Sequence, residues 1–271
     1  MTPILYDTHM HTPLCKHAKG EPGDYAAVAE KRGLKGIIVT CHNPGPNGFS
    51  ARVRMEMAQF DEYVDLVERA RQVWDGRVDV RLGLECDYIP DMEPFLETLL
   101  RRADFHYVLG SVHPQLPYYR EQYDTGDPIA FYETYFDHLA LAAESGLFDA
   151  LAHPDLVKNV YHKEWDAARL LDIIGRSLDR IARTDVALEL NTSGLHKTMR
   201  EMNPGPVMLR EMCTRHIPVV VGSDAHEPHR VAADFGQAFD LLEMAGYEGV
   251  SFYLDRQRQP VSIFAARASL R

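Results

Sequence analysis

Nine histidines and carboxylates recur at one place along this chain, and that placement constrains the fold more than any other feature. His9, His11, His17, His42, Glu85, His113, His153, Asp224 and His226 all fall at or just after the end of a strand-like run. The runs are Ile4–Asp7, Gly36–Thr40, Val78–Leu84, Phe105–Gly110, Phe148–Ala152, Val186–Leu190 and Ile217–Gly222. Helical patterns separate them. Tyr25–Lys31 ends before a capping Gly33. Arg54–Val73 repeats Met57, Phe60, Val64 and Val67 at helical spacing. Ile129–Ala143, Trp165–Ala182, Pro206–Arg215 and Val231–Ala245 read likewise. A last run, Gly249–Leu254, has no ligand-type residue after it. Alternating strands and helices imply a parallel sheet with helices outside. An open doubly wound sheet would gather ligands at one switch point. Here they come after strands one, two, three, four, five and seven, so the sheet is expected to close into a barrel whose site lies at the C-terminal strand ends.

Imidazole and carboxylate are ligands for Zn²⁺, Mn²⁺ and Fe²⁺, and nine suit two or three ions. On an extended chain residues i and i+2 point the same way, so His9 with His11, and Asp224 with His226, can each serve one ion. Glu85 has two oxygens and can bridge two ions. Asp87 and Asp155 are expected to orient ligands from behind. A multinuclear centre of this kind points to hydrolysis.

At 271 residues, residues 1–271 fit one barrel domain, which commonly needs about 250. The hydrophobic share of 45% supports a sizeable core and excludes disorder. No apolar run approaches the roughly 20 residues of a membrane span. The start, MTPILYDTHMH, lacks a basic cluster and a cleavable apolar stretch, so a cytoplasmic location is expected. The net charge of −11 argues against a nucleic-acid or membrane-surface partner. The four cysteines show no CxxC spacing and read as reduced thiols. Nothing bears on self-association, and a homo-oligomer stays open.

Strand six breaks the ligand pattern. It runs on through Asn191, Thr192 and Ser193 to His196 and Lys197, which suit hydrogen bonds to a substrate. Glu189 can also face the barrel interior. A phosphate would need cations beyond the metals. Arg52, Arg54, Lys158, Lys197 and Arg230 are the candidates, with the Arg52–Arg54 pair and Lys158 placed first. GxxxxGK[ST] and GxGxxG are absent, which removes support for ATP or dinucleotide binding. Gly-x-Ser-x-Gly is absent too.

His9-x-His11, His17, His42, Glu85, His113, His153 and Asp224-x-His226 resemble the motifs of the polymerase-and-histidinol-phosphatase (PHP) family along the whole chain. His11-Thr12-Pro13-Leu14-Cys15-x-His17, Gly83-Leu84-Glu85-x-Asp87-Tyr88 and Leu190-Asn191-Thr192-Ser193-Gly194-Leu195 are similar to its histidinol-phosphatase branch. The resemblance implies a distorted (β/α)₇ TIM-like barrel with a trinuclear site. It implies one ion on His9, His11, Glu85 and Asp224, a second on Glu85, His113 and His153, and a third on His17, His42 and His226. The implied reaction is hydrolysis of L-histidinol phosphate to L-histidinol and phosphate, in histidine biosynthesis. Cys41 departs from the pattern, because relatives usually carry Asp or Glu before this histidine.

The expected activity is metal-dependent phosphomonoester hydrolysis by a hydroxide between two metals, with Glu85, Asp224 and His226 carrying catalysis. Two rivals differ in class. A nuclease or other phosphodiesterase would use the same cluster, but the acidic charge and the lack of a basic, aromatic-rich strand path oppose it. A metal-binding regulatory module without turnover is opposed by the full ligand set. Another small phosphomonoester is the nearest alternative substrate.

Overall fold

The computed structural model describes residues 3–271, except the side chain of Asn47. Met1 and Thr2, which begin the segment read for a leader, lie outside the described residues. Seven strands follow one another in space as in sequence, each parallel to the next: β1 Tyr6–Asp7, β2 Gly36–Val39, β3 Asp79–Asp87, β4 Tyr107–Ser111, β5 Ala150–Leu151, β6 Ala187–Asn191 and β7 Val219–Gly222. The sheet closes at its C-terminal rim. There Met10 bridges Ala225 in parallel, the His11 N–H donates to Ala225 O at 2.9 Å, and the Ala225 N–H donates to His9 O at 3.1 Å.

The other end of that seam holds an eighth strand. β8 Gly249–Leu254 joins β7 through Val220 and Ser251, and β9 Gln257–Ser262 returns antiparallel to it. Tyr6 of β1 stacks on Phe252 of β8 at 4.5 Å. The barrel is therefore TIM-like but distorted, closed through hydrogen bonds at the ligand end and through side-chain packing at the other. The run without a ligand is the strand that sits away from the rim.

Strand alternation makes two cores. Tyr6, Ile38, Tyr107, Leu109, Ala187 and Val220 pack together inside the barrel. Their alternates, such as Ile37, Val39, Val108, Leu188 and Val221, pack outward against the helices. Each fully buried aliphatic or aromatic side chain contributes about 1.5–3 kcal/mol relative to exposure. The inward parity of Ile38, Leu109 and Ala187 carries on to Glu85, Ser111, Glu189 and Asn191, which is why polar groups collect at one end.

The helices are α1 Pro22–Lys31, α2 Phe60–Trp74, α3 Glu93–Leu100, α4 Pro117–Tyr123, α5 Pro128–Glu144, α6 Leu171–Ile181, α7 Pro206–Thr214, α8 Phe235–Ala245 and α9 Ile263–Ser269. Three begin later than periodicity indicates. Before α2, Glu56 and Gln59 cap a separate 3₁₀ turn. Before α6, the Asp166 carboxylate accepts from the Ala168 and Arg169 N–H groups and holds a turn. Before α8, Ala232 and Asp234 take left-handed φ values of 52° and 63°, which no helix interior allows. The short helices α3, α4 and α9, and strand β9, carry no pattern long enough to read. Among the described residues no helix is long and apolar enough to cross a membrane.

Candidate metal centre

The parallel register places the centre. β2 pairs Val39 with Leu82 of β3, and three residues on, His42 bridges Glu85. β3 pairs Glu85 with Leu109 of β4, which carries His113 just beyond its end. β6 pairs Asn191 with Gly222 of β7, two residues before Asp224. The Pro13–Cys15 turn, closed by Lys16 at φ 70°, folds His17 back over the rim. His153 and Asp224 sit at φ 31° and 49°, a conformation that costs energy for residues with a Cβ and persists where surroundings enforce it.

Glu85 is at the middle, fully buried, and its two oxygens face different sets of rings. Oε2 lies 3.5 Å from His9 Nε2, 3.7 Å from His11 Nε2 and 2.5 Å from His42 Nδ1. Oε1 lies 3.5 Å from His113 Nε2 and 3.2 Å from His153 Nε2. Asp224 Oδ1 is 3.1 Å from His11 Nε2 and 3.7 Å from His9 Nε2. On the open side, His17 Nε2 and His226 Nε2 stand 2.9 Å apart. Ligand atoms come within 4.8 Å of one another in the groups His9–His11–Asp224, His11–His42–Glu85, Glu85–His113–His153 and His17–His42–His226. All nine residues named at the strand ends are in these groups.

The donor set fits divalent ions. His9 Nε2, His42 Nδ1 and Glu85 Oε2 are buried without a hydrogen-bond partner although they face one another. Leaving such atoms unpaired is costly, and a cation among them removes the cost. Four rings are also fixed from behind at Nδ1, leaving Nε2 toward the centre. His9 is held by Glu189 at 2.7 Å, His113 by Asp87 at 2.6 Å, His17 by the Cys15 carbonyl at 2.7 Å and His226 by the Asp224 carbonyl at 3.0 Å.

Charge follows this geometry. Burial would raise the Glu85 carboxyl, but the facing His42, His9 and His113 rings and the His153 hydrogen bond hold it well below the usual carboxylate range. Against the same burial, Lys197, His9 and His11 hold Asp224 low. Burial and the Arg54 charge keep His42 well below its ordinary value. Burial and the neighbouring His11 lower His226 to about 4. His42 and His226 therefore present neutral rings, the form that ligates metal.

The expected substrate contacts divide. Lys197 reaches the centre, with Nζ 3.3 Å from Asp224 Oδ2, and walls the cavity of about 510 Å³ above the cluster. Arg54 also borders that cavity but is 2% exposed; its Nε and Nη2 grip Asp87 at 2.6 and 2.8 Å, and Asp87 holds His113. Its guanidinium is committed to orienting a ligand. Lys158 requires a correction. It is fully buried, its ammonium bonded to Asp155 at 2.9 Å, Glu201 at 3.0 Å and the Met202 carbonyl at 2.7 Å, so no donor remains for a phosphate. The same network occupies Asp155, which also accepts from Asn203 and the Gly205 N–H rather than from a ligand.

Arg52 is exposed and stands off the cavity wall. Arg230 pairs with Asp234 at 2.8 Å, and His196 lies 3.5 Å from the same carboxylate. Asn191 is fully buried; its amide donates to Glu189 at 2.9 Å and its carbonyl accepts from the Ser193 N–H and hydroxyl. The Ser193 hydroxyl also reaches Asp224 at 2.8 Å, so this loop steadies ligands. Gly222 is a further requirement that ligand spacing does not reveal: a Cβ there would run into the Glu189 carboxylate and stand 2.7 Å from His9 Cβ. A glycine closing a buried strand is the signal that marks it.

A family model described as PHP domain matches residues 7–193. A Deinococcus radiodurans protein named "Probable histidinol-phosphatase" is 39% identical over 262 residues, covering 94% of this chain and 99% of that protein. The Bacillus subtilis "Histidinol-phosphatase" is 29% identical over 271 residues, covering 87% and 97%. The solved structure of histidinol phosphate phosphatase from Lactococcus lactis, complexed with Zn, L-histidinol and phosphate, superposes with a TM-score of 0.78 at 18% identity, over 94% of this chain and 98% of that one. At that identity the likeness is one of fold.

Proposed function

Because the chain belongs to the PHP domain family, we propose that it hydrolyses L-histidinol phosphate to L-histidinol and phosphate, as a step of histidine biosynthesis. The observation that carries this reading is the division of Glu85, one oxygen toward His9, His11 and His42 and the other toward His113 and His153. A carboxylate so divided suits two neighbouring ions, and the His17–His42–His226 group suits a third. Relatives that carry the activity in their names support the substrate.

Bound divalent ions supply positive charge to phosphoryl oxygens and make water acidic at neutral pH. His9, His11, Glu85 and Asp224 would hold one ion, Glu85, His113 and His153 the second, and His17, His42 and His226 the third. Lys197 offers the cationic donor at the cavity wall for a phosphoryl oxygen. Glu189 and the Arg54–Asp87 pair keep His9 and His113 aimed. The reading takes residues 1–271 as one barrel domain, supported by the continuous nine-stranded sheet. A cytoplasmic location belongs to it and is supported by four free thiols.

Phosphate release from L-histidinol phosphate by Mn²⁺- and Zn²⁺-loaded protein, beside an aryl phosphate and bis-p-nitrophenyl phosphate, tests it. Strong preference for L-histidinol phosphate, lost on chelation and restored by metal, is expected. Turnover of the diester alone would overturn the phosphomonoesterase reading, and turnover of the aryl ester alone would overturn the substrate.

A further inference from the structure

The cavity above the cluster has a neighbour. A second cavity, also of about 510 Å³, shares Gln115, Leu156 and Lys197 with it. Lys197 stands at the join with its Nζ 3.3 Å from Asp224 Oδ2, so the two spaces meet within a side chain's reach of the centre. A phosphomonoester whose phosphoryl group sits at the metals needs a second space for the group that leaves. The side cavity opens beside Lys197 and offers one.

The chemistry of its wall is specific. Among the described residues it contains no carboxylate. Its basic side chains are each matched already. Arg120 donates through Nε and Nη2 to Asp124 at 2.9 and 2.5 Å, Lys197 faces Asp224, and His196 lies 3.5 Å from Asp234. A further charged group would meet no free counter-charge there, which disfavours burying one. Asn159 is committed as well: its carbonyl accepts from the Met199 N–H at 2.9 Å and its amide reaches the Leu156 carbonyl at 3.3 Å. Gln115 differs. It is exposed, it lines both cavities, and among the described residues its amide makes no hydrogen bond to protein. Leu156, 4% exposed, and the half-buried Val160 add apolar surface beside it.

We propose that the side cavity seats the leaving group and that Gln115 selects a neutral ring with one donor and one acceptor. In the substrate proposed above, that ring is the imidazole of L-histidinol phosphate. Neutral imidazole has one N–H donor and one acceptor nitrogen, and a carboxamide can complement either. Leu156 and Val160 suit the faces of the ring, as apolar side chains do in most ligand pockets. Lys197 then divides the substrate, with phosphoryl oxygens on one side and the ring on the other. The inference rests on the histidinol-phosphate reading.

L-phenylalaninol phosphate, which keeps the phosphate and the amine but replaces imidazole by phenyl, provides the test. We would compare kcat/KM for the two esters with the metal-loaded full chain at about pH 8, where free imidazole is neutral. The wild type should prefer L-histidinol phosphate. In Gln115→Leu the ratio of the two values should fall about 2- to 12-fold, the range of one neutral hydrogen bond. Lost metal or a loosened rim lowers both esters together and leaves the ratio unmoved, so a merely structural effect is not mistaken for selection. An unchanged ratio in Gln115→Leu, or equal turnover of the two esters by the wild type, overturns the role of Gln115 and leaves the substrate reading standing. No turnover of L-histidinol phosphate by the wild type overturns both.

Discussion

Glu189 holds the ring of His9: Nδ1 of His9 meets Glu189 Oε1 at 2.7 Å, which turns Nε2 of His9 toward Glu85. The other Glu189 oxygen accepts from the His153 N–H at 3.0 Å, so one buried carboxylate serves two ligand-bearing segments. Glu189→Gln keeps the shape but removes the charge and one acceptor. It should fold and lose about 10–100-fold in metal affinity. Titration of the metal-free variant with Zn²⁺ checks this, and wild-type affinity would remove Glu189 from the support of the centre.

Gly222 leaves room for that carboxylate. Gly222→Ala puts a methyl against Glu189 and His9 in a fully packed site. Overpacking of this kind costs about 1–3 kcal/mol. Chemical denaturation and ion counting should both show a loss, whereas unchanged stability with full metal content would mean that the rim yields freely.

Lys158 and Lys197 should separate stability from turnover. Lys158→Met strands the buried Asp155 carboxylate, a change worth about 3–5 kcal/mol of stability, while KM of the remaining folded enzyme stays put. Lys197→Ala should do the reverse. Loss of a hydrogen bond to a charged group, about 1.5–3 kcal/mol, lowers kcat/KM roughly 10- to 100-fold with little change in unfolding. A raised KM in Lys158→Met at unchanged stability would return that lysine to the phosphate.

His138, buried in α5 with the Tyr119 hydroxyl at 2.9 Å, is pushed below its ordinary value by burial. The unfolded chain then binds the proton more readily than the folded one. Stability from this group is complete above the unfolded value of about 6.5 and is lost as pH falls below it. Between pH 7 and 5, His138→Gln should show a flatter fall in unfolding free energy than the wild type, by up to about 1.4 kcal/mol per pH unit. Parallel pH profiles for the two proteins would contradict this.

The strand ends, the alternation of strand and helix and the residues that gather around Glu85 were legible in the chain because each depends on local chemistry. A β-branched run forms a strand, its period of two points alternate residues inward, and the residues just past the end of each parallel strand meet at one rim. The sequence alone also carried the order of the first seven strands and the clue that Gly249–Leu254 stands apart. Tertiary structure decided the rest, through pairs far apart in the chain. Glu189 meets His9 across 180 positions, and Arg54 meets Asp87 across 33. Lys158 and Arg54 looked alike as free cations, and only packing revealed that each is committed to a buried carboxylate. A charge that burial strips of water must find a partner wherever the fold brings one.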